Sequence, residues 1–315
     1  DGTLPKPEQT KVKLGTPIGE PSQFAVVLAD QLGLYKKYGI DVTITKFNAG
    51  GDATTALLSG AVDFSGMNGS DFVLTSQLTD TPAQAASVYK SRVFDGLFCQ
   101  KDVKTAADLK GKTIAISSLG ATAHASALLA VAGLKLGDKD VTYTPVGNNS
   151  ARIAAMKAGS VGCAPVSMDQ SKSMTDLGLN LLIDLSQDKS LTYPAIGIGV
   201  TVAYAKKNPN TVLVMAAALL EAQTILINDL KTTAAEWAKF AQVDAAKAET
   251  DVKAIQSQIN PTMLWEDSGF AFTQQIFSKA SPSVMMADPA KAGDRSFLQK
   301  LIDIGFYKKI NAPTS

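Results

Sequence analysis

Two hydrophobic rhythms take turns along the first two thirds of the chain. Apolar runs or every-second-residue patterns mark strands, and apolar residues at i, i+3, i+4 spacing mark the helices between them. The first strand falls at Lys11 to Thr16, followed by the turn-like Pro17-Ile18-Gly19-Glu20-Pro21. A helix is predicted from about Ser22 to Tyr38, carried by Phe24, Val27, Leu28, Gln31 and Leu32 and stopped by Gly39. Ile40 to Phe47 predicts a second strand, Asp52 to Ser59 a short helix ended by Gly60, and Val62 to Gly66 a third strand. Another helix runs from about Ser70 to Leu78, and Ala83 to Tyr89 is a fourth strand.

A strand at Val93 to Gln100 leads into a second series. It reads strand 112–117, helix 121–134, strand 140–146, helix 149–158, strand 161–165 and helix 168–177, then strands at Leu181–Leu185 and Ile196–Ala205. From Asn208 the pattern is nearly all helical. Asn208-Pro209 suits a helix start, and that helix should reach about Asp229, with two or three more after it and the last ending near Ile304 at Gly305.

The second series repeats the first. Asp41-Val42-Thr43-Ile44-Thr45 lies over Asp140-Val141-Thr142-Tyr143-Thr144, and the same 99-residue offset places Ala56, Gly60 and Val62 on Ala155, Gly159 and Val161. Solenoid repeats run roughly 20 to 50 residues, so this period implies two lobes of one design with a cleft between them. Alternating strands and helices imply an α/β fold with mostly parallel sheets and helices on both faces. Reading the strands near 93–100 and 196–205 as crossings puts lobe one at about 1–96 plus 203–315 and lobe two at 97–202.

Composition narrows the function classes. The chain has 315 residues, 45% hydrophobic, with a formal charge of +1, which leaves no electrostatic footprint for nucleic acid. The longest unbroken apolar run, Val212 to Leu220, is short of the roughly 20 residues of a membrane span. The polar opening Asp1 to Lys11 reads as a mature or trimmed N-terminus. Cys99 and Cys163 both sit in strand-like segments; two buried free thiols are expected, with a disulfide as the alternative. There is no CxxC or His/Cys cluster, so no metal and no cofactor is expected.

Gly111-Lys112-Thr113 leads into a strand, and Ala106 stands where a phosphate loop needs its first glycine, so a nucleotide site is excluded. His124, the single histidine, is either a satisfied polar residue at a helix start or a ligand donor. No GxSxG elbow accompanies it, which argues against a hydrolytic triad. Ligands of open α/β sheets bind beyond the carboxyl ends of parallel strands. That places candidate contacts in the turns Pro17–Phe24, Asn68–Asp71, Ser117–His124 and Pro165–Asp169. The side chains singled out are Gln23, Phe24, Asn68, Ser70, Asp71, Ser117, Thr122, His124, Met168 and Asp169, together with Tyr89, Arg92, Asn148 and Tyr193 as inward-pointing residues. Asn68-Gly69-Ser70-Asp71 also serves as a helix cap. Helix N-termini and Arg92 favour an anion, by about 0.3–2 kcal/mol per helix end; Asp71, Asp169 and Glu20 oppose it.

Leu32-Gly33-Leu34-Tyr35-Lys36-Lys37-Tyr38-Gly39-Ile40-Asp41-Val42 resembles the opening signature of the substrate-binding proteins of bacterial ABC importers for nitrate, sulfonates, taurine and thiamine precursors. So do Ala56-Leu57-Leu58-Ser59-Gly60-Ala61-Val62-Asp63-Phe64 and Ala107-Asp108-Leu109-Lys110-Gly111-Lys112-Thr113-Ile114-Ala115. Ala121-Thr122-Ala123-His124 with Ala132-Gly133-Leu134 is similar to the segment bounding the first helix of the second lobe in sulfonate binders. The likeness spans about residues 11–205. It implies a two-lobed periplasmic-binding-protein type II fold, an extracytoplasmic location, a membrane permease and ATPase as partners, and a monomer that closes on a small solute. The family usually shows Gly-x-Val-Asp-Ala in the second lobe, but this chain has Gly162 in place of the Asp, so a sulfonate or nitrate assignment does not carry over. Two other classes stand beside this one: an enzyme on the same scaffold, like the fungal thiamine-pyrimidine synthase, and a sensor module for a membrane receptor.

Overall fold

The computed structural model describes the chain except residues 18–22, 48–49, 267 and 279. The predicted turn after Pro17 and the predicted helix start at Ser22 therefore lie largely outside the described residues. In chain order, β1 is Lys11–Pro17, α1 Phe24–Gln31, α2 Leu34–Lys37, β2 Asp41–Phe47, α3 Gly50–Leu58, β3 Phe64–Asn68, α4 Gly69–Thr75 and β4 Ala83–Arg92. The helix predicted as one piece to Tyr38 is two. Gly33 takes a left-handed conformation (φ +68°) that ends one helical run and starts the next.

The second series follows with β5 Asp95–Cys99, α5 Ala106–Leu109, β6 Thr113–Ile116, α6 Thr122–Gly133, β7 Thr142–Pro145, α7 Asn149–Lys157, β8 Cys163–Ser167, α8 Ser171–Asp176, β9 Asn180–Asp184 and β10 Thr192–Thr201. A 3-10 turn, Met168–Gln170, precedes α8. The strand predicted through Ala205 stops at Thr201, whose hydroxyl accepts from the Tyr204 N–H at 3.2 Å and caps a helix instead.

That helix is α9, Val202–Lys207, and α10, Pro209–Asn228, follows it. Six more α-helices follow among the described residues, where two or three were predicted: α11 Leu230–Ala241, α12 Ala245–Gln256, α13 Gly269–Phe277, α14 Pro282–Met285, α15 Ser296–Asp303 and α16 Phe306–Lys309. Helix α16 lies beyond the predicted end of the last helix, restarted by Gly305 in the left-handed region. Helix α10 is long and apolar enough to cross a membrane by composition, but it is mostly buried, packed against α1, α2, α11 and α15 as a core helix.

The chain forms two compact units. Unit 1 is residues 1–91, 194–270 and 288–315; unit 2 is residues 92–193 and 271–287. These limits differ from the predicted 1–96 plus 203–315 and 97–202 in three respects, the first being that residues 92–96 belong to unit 2. Most of β10 belongs to the first sheet, where Ile196–Val200 pair with β3, and a helical stretch from the C-terminal segment belongs to unit 2.

Each unit holds one five-stranded mixed sheet, ordered β2-β1-β3-β10-β4 in unit 1 and β7-β6-β8-β5-β9 in unit 2. The first three strands of each are parallel, and the fourth runs antiparallel to the third. The repeat holds at the level of register. Leu14 pairs with Ile44 and Phe64, and Ile114 pairs with Tyr143 and Cys163. The units are thus equivalent at an offset of 100 residues on β1/β6 and 99 on β2/β7 and β3/β8. Gly60 and Gly159, one offset apart, both take positive φ (76° and 70°) after α3 and α7, a conformation a side chain would strain.

Cys99 and Cys163 form a disulfide, so the expectation of free thiols is corrected. They are register partners on antiparallel β5 and β8, with Cα atoms 4.0 Å apart and both side chains buried. The apolar strand context that suggested core thiols is real; what the sequence did not give was the antiparallel insertion of β5 beside β8. The unit 2 core around them includes Phe98, Met156, Val166, Met174 and Leu179.

Candidate functional site

In unit 1, the carboxyl ends of β1 and β3 carry two polar groupings. The Thr16 hydroxyl donates to Gln23 Oε1 at 2.5 Å, and Gln23 lies against Gly66 of β3, where a Cβ would collide with the amide. After β3, Asp71 Oδ2 accepts from the Asn68 N–H (3.4 Å), the Asn68 amide (3.4 Å) and the Thr54 hydroxyl (3.5 Å). Asp71 thereby answers a backbone donor left without an intrahelical partner at the start of α4. Burial pushes its carboxyl above the ordinary range, against the opposing pull of those hydrogen bonds. Ser70 is buried in the first turn of α4. Gln23, Asn68, Ser70 and Asp71 therefore collect at one end of the sheet.

Phe24 and Tyr89 are placed differently. Phe24 is buried with its ring centroid 5.0 Å from Trp237 and 5.7 Å from Phe240. Tyr89 is fully buried, and its carbonyl accepts from Gln223 Nε2 (3.0 Å) and the Asn260 N–H (2.9 Å). Both are core residues of unit 1.

In unit 2, Ser117 follows β6 and Thr122 opens α6, both half-buried. The helix has Ala121 at its cap position, which supplies no side-chain acceptor for the first-turn N–H groups. After β8, the Ser167 hydroxyl donates to the Asp169 carboxylate, and the Met168 N–H donates to the Phe94 carbonyl at 3.0 Å. Asp169 is exposed, while the Met168 side chain packs on the unit 2 core. Asn148 caps α7 through its Oδ1, 3.0 Å from the Ala151 N–H. Neighbouring Asn149 donates to Gln170 at 3.1 Å, tying the turns after β7 and β8 together. Arg92 lies over the Phe94 ring at 5.8 Å.

His124 is buried, 2% exposed. Its Nδ1 accepts from the Gly120 N–H at 3.1 Å, which leaves the proton on Nε2. Nε2 and the nearby Tyr143 hydroxyl are both buried without a hydrogen-bond partner among the described residues. The imidazole lies 5.1 Å from the Tyr143 ring and 5.7 Å from that of Phe277. Burial lowers its pKa to about 4, slightly opposed by the Asp138 charge, so the ring is neutral near pH 7. By register, His124 is the counterpart of Phe24.

One grouping escaped the sequence reading. Asp95 opens β5 opposite Ser167, so an antiparallel strand delivers a carboxylate to the carboxyl end of β8. Asp95 is half-buried and accepts from the Ser126 hydroxyl at 2.5 Å. Tyr193 is buried nearby; burial first, and the Asp95 charge second, push its hydroxyl far above the ordinary range. The signal was present in Phe94-Asp95-Gly96, read only as part of a crossing strand. Among the described residues, no cluster of His, Cys, Asp and Glu suits a metal ion. Two cavities in unit 1, of about 370 and 230 Å³, include none of the candidate residues.

Both thiols are joined in the disulfide, and the single imidazole is buried. Residues 20–231 match the family model described as NMT1/THI5 like. The chain belongs to the NMT1/THI5-like family. A Brucella abortus (strain 2308) protein named provisionally as a binding protein is 27% identical over 232 residues, covering 72% of this chain and 70% of that protein. The alkanesulfonate-binding protein SsuA from Xanthomonas axonopodis pv. citri, solved with MOPS, superposes with a TM-score of 0.70 at 20% identity, covering 91% of this chain and 99% of that one. The periplasmic nitrate-binding protein NrtA from Synechocystis PCC 6803 gives 0.75 at 15% identity, covering 99% and 93%. This NMT1/THI5-like chain therefore has the periplasmic-binding-protein fold, and its similar relatives are binding proteins.

Proposed function

We propose that this protein is the extracytoplasmic solute-binding component of an ABC importer. It captures a small organic or oxyanion-type solute, of the sulfonate, nitrate or pyrimidine-like class, by hinge closure, and hands it to a membrane permease and its ATPase. The protein performs no reaction and acts as a monomer. The observation that carries this reading is the paired set of polar strand-end turns, one per unit: Gln23, Asn68, Ser70 and Asp71 in unit 1, and Ser117, Thr122, Asp95 and Asp169 in unit 2. With contacts from both units, only the closed state satisfies the ligand, and binding shifts the population by its differential affinity. The buried disulfide supports an oxidising, extracytoplasmic location.

Native mass spectrometry of the purified protein, followed by calorimetry against alkanesulfonates, nitrate, pyrimidines and amines, tests this. A single retained or titrated small molecule per chain is expected. Failure of every class to bind at millimolar concentration would contradict the proposal.

A further inference from the structure

A second feature of unit 1 lies away from the strand-end turns. Gly33-Leu34-Tyr35-Lys36-Lys37 and Gly305-Phe306-Tyr307-Lys308-Lys309 are echoes of one another at opposite ends of the chain. Each is a four-residue helix, α2 or α16, started by a glycine at positive φ, with the next two side chains buried and two lysines in its last turn. The tyrosine of each donates its hydroxyl to a backbone carbonyl, Tyr35 to Val26 at 3.0 Å and Tyr307 to Thr262 at 2.8 Å. The two helices meet, with the Tyr38 and Phe306 rings 5.6 Å apart.

Lys37 and Lys309 line one cavity of about 370 Å³, and the N-terminal segment forms its other wall with Leu4, Pro5, Lys6 and Pro7. Gly39, also in the lining, precedes β2, so the cavity lies at the opposite end of the sheet from Asn68 and Asp71. Three lysines are among the described lining residues; Lys37 is ion-paired with Glu221 just outside the lining, which leaves the Lys6 and Lys309 ammonium groups without a carboxylate partner among the described residues. Compensation of helix C-termini accounts for lysines on α2 and α16. It does not account for Lys6, which is on no helix and makes no ion pair or side-chain hydrogen bond among the described residues. Lys37 is held in place by both oxygens of Glu221, at 2.7 and 2.8 Å, and Lys309 reaches the Gly2 carbonyl at 3.3 Å.

We propose that this cavity is a second ligand site, for a multivalent oxyanion of the phosphate type. Lysines act on phosphate as point charges from flexible stems, and Leu4, Pro5 and Pro7 offer an apolar wall for the body that carries the anion. The volume sits at the lower end of small-molecule sites. The phosphate could be carried by a free metabolite or by a lipid headgroup. The site does not depend on the identity of the imported solute.

The test is titration of the intact chain with sodium pyrophosphate at low ionic strength, in parallel with sedimentation on phosphatidylglycerol and on phosphatidylcholine vesicles. Saturable pyrophosphate binding, one per chain and weakened by added salt, supports a free phosphate ligand. Sedimentation with phosphatidylglycerol alone supports a headgroup. In either case Lys6→Ala combined with Lys309→Ala should weaken binding roughly tenfold. Lys6→Glu alone, at an exposed position that leaves the fold intact, should act in the same direction. Binding of neither probe, or binding that both variants leave unchanged, overturns the proposal. Unchanged solute binding at the strand-end turns in these variants separates this site from the importer function.

Discussion

The two units carry the same sheet order and the same register, yet equivalent positions hold different chemistry. The cross-strand pair that is Phe64 and Val200 in unit 1 is Cys163 and Cys99 in unit 2. Phe24 under Trp237 and Phe240 has His124, under Tyr143 and Phe277, as its counterpart. Ile196, opposite Asn68, becomes Asp95, opposite Ser167. Unit 1 has apolar partners at the first two points and an apolar residue, Ile196, opposite the polar Asn68 at the third; unit 2 substitutes a covalent link, an aromatic whose Nε2 has no partner among the described residues, and a half-buried charge. Backbone topology is thus kept by periodicity and turns, while side-chain chemistry at matching positions is free to diverge.

The largest expected effect comes from the disulfide. It closes a loop with a sequence separation of 64, so Cys99→Ala with Cys163→Ala should cost about 4 kcal/mol on the chain-entropy estimate. The loss should be confined to unit 2. Hydrogen exchange should show protection falling across β5 and β8 and holding across β3 and β10, with the fluorescence of Trp237 and Trp265, both in unit 1, changing later. Equal loss in both units would contradict the independence of the two cores.

His124 should give the next largest effect, through pH. Its folded pKa of about 4 lies below the ordinary 6.5 of an imidazole, so the unfolded chain binds the proton more readily. Stability from this group is complete above about pH 6.5 and falls as pH drops toward 4, by up to about 3 kcal/mol. Urea unfolding at stepwise pH reads this slope directly. His124→Phe, which installs the unit 1 residue type and removes the orphaned Nε2, should flatten it and leave the protein at least as stable at pH 7. A steep slope persisting in His124→Phe would assign it to another group. If His124→Phe instead abolished solute binding while folding normally, the imidazole would be a ligand donor and not a core position.

The smallest effect concerns Asp95. Ser126→Ala removes its hydrogen-bond donor and should cost about 1 kcal/mol with little change in fold, measured by thermal unfolding. A much larger cost would mean that Asp95 anchors β5 more than the single bond suggests.

How much of this was legible in the sequence follows from the same comparison. The repeat was visible because glycines at fixed φ, such as Gly60 and Gly159, and the matching residues Asp41–Thr45 and Asp140–Thr144 are local features written in single residues. The strand-end turns of unit 1 were legible for the same reason, since Asn68 and Asp71 answer a local capping demand. What was not legible depended on long-range pairing. The disulfide requires β5 to run antiparallel beside β8, and the carboxylate at the carboxyl end of β8 requires Asp95 to arrive on that inserted strand. The true unit limits likewise depend on β10 crossing back to pair with β3, which nothing near residue 200 announces. The helical segment was undercounted because short helices such as α14 and α16, four residues each, lack a full turn-to-turn period.

The proposed function has both units supplying contacts to one solute. Its most direct test is calorimetric titration of the solute recovered from the purified protein, using Asn68→Ala in unit 1 and Thr122→Ala in unit 2, with thermal unfolding as a folding control. Loss of about tenfold or more in affinity from each substitution, with unfolding temperatures little changed, is the predicted result. Full affinity in either folded variant would contradict the account.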